Sequence, residues 1–346
     1  METYQILQIV WFCLWGLLWA VYFMLDGFDF GLGILLPVIA RGEEEKRTIY
    51  NSAGPYWDGN EVWLIAAGGV TFAAFPKAYA VLFSSLYAPL LILLFALIFR
   101  AVSYEFRGKE TLPGWTQLWD VMQFLGNFLP ALLFGVAFAN LFIGIPVDDK
   151  GIYHGNLLML LNPYGLAGGL FFVLIFTLHG ALWLMLKSEG KLHTKALAAA
   201  LVLWPAVLLT CVAFLGMTAI YTRLYDNYLS YPLLGAAPLL AVAGLLAVRY
   251  FLHIGKPLLA WAGNCLFIVS VTFFGVLGMF PGIVISSLDP AWSVTAYNSS
   301  SSQLTLSIML GVVLVFVPLV ILYQAWMYKT FSGPVTKEHL RDEHSY

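Results

Sequence analysis

Between short polar interruptions the chain is almost wholly apolar, and its apolar stretches have the length of a helical bilayer crossing, about 20 residues. Eight are plain, at 6–40, 78–103, 118–145, 162–187, 195–222, 233–253, 258–282 and 304–330. A soluble fold would have to cover these stretches with polar side chains. The chain of 346 residues has too few: 61% is apolar or aromatic and 10% is charged, against about 25% charged in ordinary soluble domains. The expected class is therefore all-α and polytopic in the membrane, with residues 1–346 as one integral membrane domain. A net charge of −2 and no basic run longer than Lys46-Arg47 argue against a nucleic-acid partner. Cys13, Cys211 and Cys265 each stand alone in an apolar stretch, which fits small packing residues and gives no metal-site spacing.

A ninth stretch, 51–75, is less clear. Asn51-Ser52 is read as a cap and Pro55 as a first-turn residue, yet Asp58, Asn60 and Glu61 precede the apolar run from Val62 to Phe75. Basic residues decide the count, because short cytoplasmic loops collect Lys and Arg. With nine crossings, fourteen of the seventeen, from Arg41 to Lys337 and Arg341, share one face, and only Lys77, Lys150 and Arg223 fall on the other. With eight, the split is eleven to six. Nine crossings are expected, with the N-terminus outside and the C-terminus cytoplasmic. The serines at 299–302 are read as the cap of the last helix.

Acids inside spans are the candidate functional residues, because an intramembrane carboxylate is costly. Asp26 and Asp29 lie in the first span, and Asp58 and Glu61 in the second, each pair at i, i+3 and so on one helix face. Glu105 ends the third span and Asp120 opens the fourth. With nine crossings, Asp29 lies roughly 16 Å and Asp58 roughly 10 Å from the cytoplasmic face. No Lys or Arg is expected in the central part of a span, so neutral groups such as Asn51, Ser52 or Asn60 are the expected partners. Such a ladder suits proton uptake; packing hydrogen bonds, helped by the small pair Gly27 and Gly31, are the alternative. Trp57 and Trp63 flank the second pair, as packing residues or as the wall of a dry path.

Haem needs axial His, Met or Cys ligands. Of six histidines only His179 lies well inside a span, where a hydrogen bond within its helix or a ligand or proton-linked role are both open. The glycines of 165–169 permit close helix packing, and no Walker lysine follows them.

Five motifs together resemble subunit II of cytochrome bd quinol oxidase over nearly the whole chain. They are Asp26-Gly27-Phe28-Asp29-Phe30-Gly31, the run 51–64 with its central Trp57-Asp58-Gly59-Asn60, Leu161-Asn162-Pro163-Tyr164-Gly165, Met279-Phe280-Pro281 and Ser301-Ser302-Gln303-Leu304-Thr305-Leu306. The resemblance implies nine helices, arranged as two four-helix bundles plus one peripheral helix and paired with subunit I in a prokaryotic cytoplasmic membrane. It further implies two b haems, haem d and the quinol site on subunit I, no catalytic residue or metal in this chain, and possible small single-helix subunits. Quinol there reduces dioxygen to water with cytoplasmic protons. The family's proton-path acids match Asp29 and Asp58, with Asp26 alongside and Glu105 at a third position, where Glu for Asp keeps the carboxyl and changes its reach. Some members hold a structural quinone in subunit II. The competing expectations are a purely structural oxidase subunit and a proton-coupled transporter.

Overall fold

The structure is a computed structural model that describes residues 2–336 and 338–341; Lys337 and His344 lie outside them. Fourteen α-helices follow one another: α1 (Thr3–Leu25), α2 (Gly27–Ile39), α3 (Glu43–Ala53), α4 (Trp57–Ala74), α5 (Pro76–Ser85), α6 (Tyr87–Phe106), α7 (Pro113–Ile143), α8 (Pro163–Lys187), α9 (Gly190–Tyr221), α10 (Leu224–Ser230), α11 (Ala236–His253), α12 (Pro257–Met279), α13 (Ala296–Ser299) and α14 (Gln303–Thr330). A two-stranded antiparallel hairpin, β1 (Gly282–Val284) and β2 (Val294–Thr295), closes one end. Eight helical segments among the described residues are long and apolar enough to cross a membrane, α1 and α2 counting as one.

The first span is not the continuous helix expected over 6–40. It breaks at Asp26, and the break has an identifiable chemical support. A helix interruption frees backbone carbonyls that lipid cannot satisfy. Here His179 Nε2 on α8 donates to the Met24 carbonyl at 2.9 Å, and Asn60 Nδ2 on α4 donates to the Leu25 carbonyl at 3.2 Å. The third span is likewise divided, between α5 and α6 at Leu86.

Asn51 and Ser52 do not cap the second span. They lie inside α3, where Asn51 Nδ2 donates to the Arg47 carbonyl and Ser52 Oγ to that of Ile49. Helix α3 begins earlier because Glu43, Glu44 and Glu45 occupy its first turn, where carboxylates complement the helix dipole. The next helix, α4, is antiparallel to α1: Trp15 Nε1 donates to Thr71 Oγ1, and Asn60 reaches Asp29. Its two ends also meet the two ends of α14. Tyr56, just before α4, donates to the Phe331 carbonyl at 2.6 Å, while Ser301 donates through N–H to Ala74 and through Oγ to Ala73. Eighteen residues of α4, about 27 Å at 1.5 Å each, therefore bridge the same layer as the 28 residues of α14. Of the serine cluster, Ser302 caps α14 by accepting from the Thr305 N–H, and Ser300 and Ser301 tie Tyr4 and Gln8 of α1 to it.

Small residues bring the helices together, as expected where apolar surface has no water to escape. Gly31 of α2 meets Gly180 of α8, Gly135 of α7 meets Gly168 of α8, and Gly244 of α11 meets Gly263 of α12. Gly126 of α7 lies against the backbone of Ala96 and Arg100 on α6. The most extensive packings are α11 on α12, α7 on α8, α8 on α9 and α6 on α7; α2 packs on both α7 and α8, and α1 on both α4 and α12. Helix α14 is peripheral, with only Leu306, Gln324 and Met327 buried.

A Cβ on Gly31 would stand 1.9 Å from the Phe176 carbonyl oxygen, whereas Gly216 has nothing within 4 Å. Gly31→Leu is expected to abolish most of the folded protein extracted from membranes. Gly216→Ala is expected to leave yield and thermal midpoint unchanged, and detergent-extracted yield with thermal unfolding checks both.

Candidate functional site

The break at Asp26 places an acid at the centre of the helix packing, and α6 supplies its partner. Arg100 donates through Nη1 to Asp26 Oδ1 at 2.8 Å and through Nη2 to Glu61 Oε2 at 3.0 Å. The side chains of Arg100 and Asp26 are fully buried; that of Glu61 keeps 22% exposure. The guanidinium also lies 4.8 Å from the centre of the Phe30 ring. This corrects the expectation that no base enters the central part of a span. Helix α6 continues to Phe106, which leaves Arg100 six residues, or about 9 Å, before its end. Its place was legible in a pattern: Leu93, Ala96, Leu97, Arg100, Ser103 and Tyr104 are the buried residues of α6, at the three-to-four spacing of one helix face.

Asp29, one turn beyond Asp26, is fully buried and accepts from Asn60 Nδ2 at 2.8 Å. Of the neutral partners expected from sequence, Asn60 takes that place. Its own Oδ1 accepts from the Tyr328 hydroxyl at 2.9 Å and from Gln324 Nε2 at 3.4 Å, both on α14. Gln324 Oε1 in turn accepts from Trp63 Nε1 at 2.8 Å. The peripheral helix is thus anchored by polar contacts to the acid-bearing core, which sequence reasoning did not find.

Five of the expected acids divide differently from the predicted ladder. Asp26, Asp29 and Glu61 converge through Arg100 and Asn60, whereas Asp58 is exposed on α4 and Glu105 is exposed near the end of α6. Trp57 stacks on Tyr104 with centroids 5.2 Å apart. Asp120 accepts from Lys46 Nζ and from Arg107 Nε, each at 2.7 Å, and Arg107 also grips Glu43 with both amino groups. Lys195 of α9 binds Glu45 of α3 through both carboxylate oxygens. Burial acts to raise the Glu45 pKa, but the Lys195 ammonium and the Arg41 N–H outweigh it and hold the carboxyl below its ordinary value. The stabilising contribution of Glu45 is therefore present above its unfolded-state pKa and fades as pH falls through the lower folded one. These ion pairs pin α3 across the ends of α6, α7 and α9.

His179 bonds between helices and not within its own. Nε2 meets the Met24 carbonyl, Nδ1 lies 3.0 Å from Asn264 Nδ2, and the ring stacks on Trp261. A neutral ring protonated at Nε2 satisfies both contacts, which leaves neither nitrogen for a metal. Among the described residues no cluster of three or more His, Cys, Asp or Glu side chains is arranged for a metal ion. Lys187, at the end of α8, is buried against the Tyr56 hydroxyl at 2.7 Å and the carbonyls of Phe331 and Gly333.

Between α4 and α5–α7 runs an apolar cleft of about 670 Å³, lined by Trp15, Trp19, Gly68, Phe72, Tyr79 and Leu97 among others. Leu97 lies three residues before Arg100 and Leu64 three residues after Glu61, so one end of the cleft lies about a helical turn from that ion pair.

Comparison with known proteins places this geometry in a family context. A family model describing cytochrome bd terminal oxidase subunit II matches residues 7–331. Cytochrome bd-I ubiquinol oxidase subunit 2 of Escherichia coli K12 is 35% identical, with the whole of both chains covered. Cytochrome bd ubiquinol oxidase subunit 2 of Bacillus subtilis 168 is 34% identical over 95% of this chain and 97% of its own. Among solved structures, the bd oxidase from Geobacillus thermodenitrificans superposes with a TM-score of 0.76 over 94% of this chain and 98% of the matched chain, at 15% identity, a likeness of fold.

Arg100→Met would leave Asp26 buried without its counter-charge. Breaking one side of a buried ion pair typically costs about 3–5 kcal/mol, so the variant is expected to unfold at a clearly lower temperature than wild type. Asp26→Asn with Arg100→Met should recover part of that loss, as thermal unfolding of the two variants side by side will test.

Proposed function

The chain belongs to the subunit II family of cytochrome bd terminal oxidases, and from that premise we propose that it carries part of the cytoplasmic proton-uptake route of the oxidase. As such a subunit it belongs to an oxidoreductase complex of respiratory electron transport, embedded in the bacterial inner membrane together with subunit I. The family implies haems and a quinol substrate in that complex.

One observation carries the proposal: Asp26 and Asp29 are fully buried in the helix core, yet hydrogen bonds and ion pairs connect them to Glu61 and Asn60 on α4. Glu61 retains partial exposure and is the link to the surface. Asp58 and Glu105 open on the surface of this chain, and in our reading they accept protons along a face that subunit I completes. Asp29 then receives the proton inside.

Several finer elements belong to the same reading. Helix α4 is the ninth crossing, supported by its hydrogen bonds to both ends of α14. The distribution of basic residues supports an outer N-terminus and a cytoplasmic C-terminus. Two b haems and haem d lie on subunit I, where they supply the chemistry of dioxygen reduction; His179, with both ring nitrogens engaged, supports their placement outside this chain. The apolar cleft suits a structural quinone, whose isoprenoid tail would lie along Trp19, Phe72 and Leu97. Small single-helix subunits are a further expected component. This chain also steadies subunit I, by presenting a rigid helical face.

In the assembled oxidase, Asp29→Asn and Asp58→Asn are expected to keep the haem spectrum while oxygen consumption and cytoplasmic proton uptake fall about tenfold or more, a barrier increase of at least ~1.4 kcal/mol. Unchanged turnover and uptake in both would sink the proposal. Loss of haem at undiminished rate per remaining haem would instead mark a purely structural subunit.

A further inference from the structure

Lys187, the last residue of α8, is 2% exposed. Its ammonium donates to the Tyr56 hydroxyl at 2.7 Å, to the Gly333 carbonyl at 3.3 Å and to the Phe331 carbonyl. These partners are uncharged oxygens, and together they take up the three hydrogens of the ammonium. Tyr56 directs its own hydrogen to the same Phe331 carbonyl. Phe331 closes α14 and Gly333 follows it, so both carbonyls lie at the negative end of the helix dipole, where the helix itself offers no donor. On the backbone of the same residue, the Lys187 carbonyl accepts from the Val335 N–H at 2.9 Å. One lysine of α8 thus holds the end of α14 and the segment after it.

That hold matters because packing does little to fix α14. Its 28 residues span about 42 Å, more than the roughly 30 Å of a hydrocarbon core, and its buried residues are Leu306, Gln324 and Met327. The anchor at the other end, Ser301 on Ala73 and Ala74, is separated from the C-terminal half by Pro318, which removes a helix hydrogen bond. In that half Gln324 contacts Asn60 and Trp63, and Lys187 adds a charged hydrogen-bond donor, the stronger kind. Tyr328, less than a turn before Phe331, donates to Asn60 Oδ1 at 2.9 Å, while Asn60 Nδ2 donates to Asp29 Oδ2 at 2.8 Å. Tyr56 couples the two ends of this chain of contacts: its hydroxyl meets Lys187, and its ring lies 4.7 Å from that of Tyr328, centre to centre. A donor on the Asn60 oxygen keeps the amide nitrogen toward Asp29; without it the amide is free to turn its oxygen to the carboxyl. We propose that Lys187 is a positioning residue for proton uptake: it fixes where Tyr328 meets Asn60, and thereby the direction of the Asn60 amide toward Asp29.

This inference rests on the proton-uptake reading, and its test separates the two. In assembled oxidase, Lys187→Met is expected to speed amide hydrogen exchange across residues 325–335 about tenfold or more, as loss of a charged donor implies. With the haem spectrum unchanged, oxygen consumption per haem should fall about fivefold at an unaltered quinol KM, the pattern of a misplaced group. Tyr328→Phe should slow turnover to a similar degree while exchange over 331–335 stays as in wild type. Lys191→Met, at an exposed position on α9, should alter neither. If Lys187→Met does not assemble, Lys187→Gln, which keeps donors without the charge, takes its place and should shift both readouts in the same direction. Unchanged exchange in the Lys187 variant would overturn the proposal. So would faster exchange with undiminished turnover while Asp29→Asn is slow, since α14 would then be loosened without consequence for Asp29. Normal turnover in Asp29→Asn itself would sink the proton-uptake reading, and the positioning role with it.

Discussion

The placement of Arg100 between Asp26 and Glu61 governs the rest of the acid-bearing core. A guanidinium buried among helices must be matched by carboxylates, and carboxylates there must be matched by a base or kept protonated. One cation and three acids meet at this point. Side chains alone do not balance that charge if all three acids are ionised. That imbalance is the physical ground for the proposed role in proton uptake.

The backbone is built around the same requirement. The break between α1 and α2 turns Asp26 into the core and exposes the carbonyls of Met24 and Leu25, which His179 and Asn60 cover. Asn60 thereby serves two purposes, supporting the break through the Leu25 carbonyl and binding Asp29 with the same amide nitrogen. Close glycine contacts between α2 and α8 and between α6 and α7 bring Asp29 and Arg100 within reach. Any residue with a side chain at Gly126 would press on the backbone of Arg100 itself.

Polar contacts fix the periphery around this core. Ion pairs at Glu43, Arg107, Asp120 and Lys46 hold α3 against the helix ends. Helix α14, otherwise turned outward, is fixed to α4 by Gln324 and Tyr328. Asp58 and Glu105 remain on the chain's surface.

Sequence alone determined that the chain is a helical membrane protein, approximately where its helices lie, and which acids are unusual, because bilayer thickness and the cost of intramembrane charge leave strong one-dimensional traces. Its motifs also identified the family. Asp26 and Asp29 were legible as one face of a helix, since i, i+3 spacing is local. Only the tertiary structure decided that Arg100 neutralises Asp26, that Glu61 joins them while Asp58 turns away, and that His179 supports a helix break. Those contacts join residues up to 155 positions apart. Their cause is the crossing of helices at small residues, and the distance along the chain between two such helices carries no record of which faces will meet.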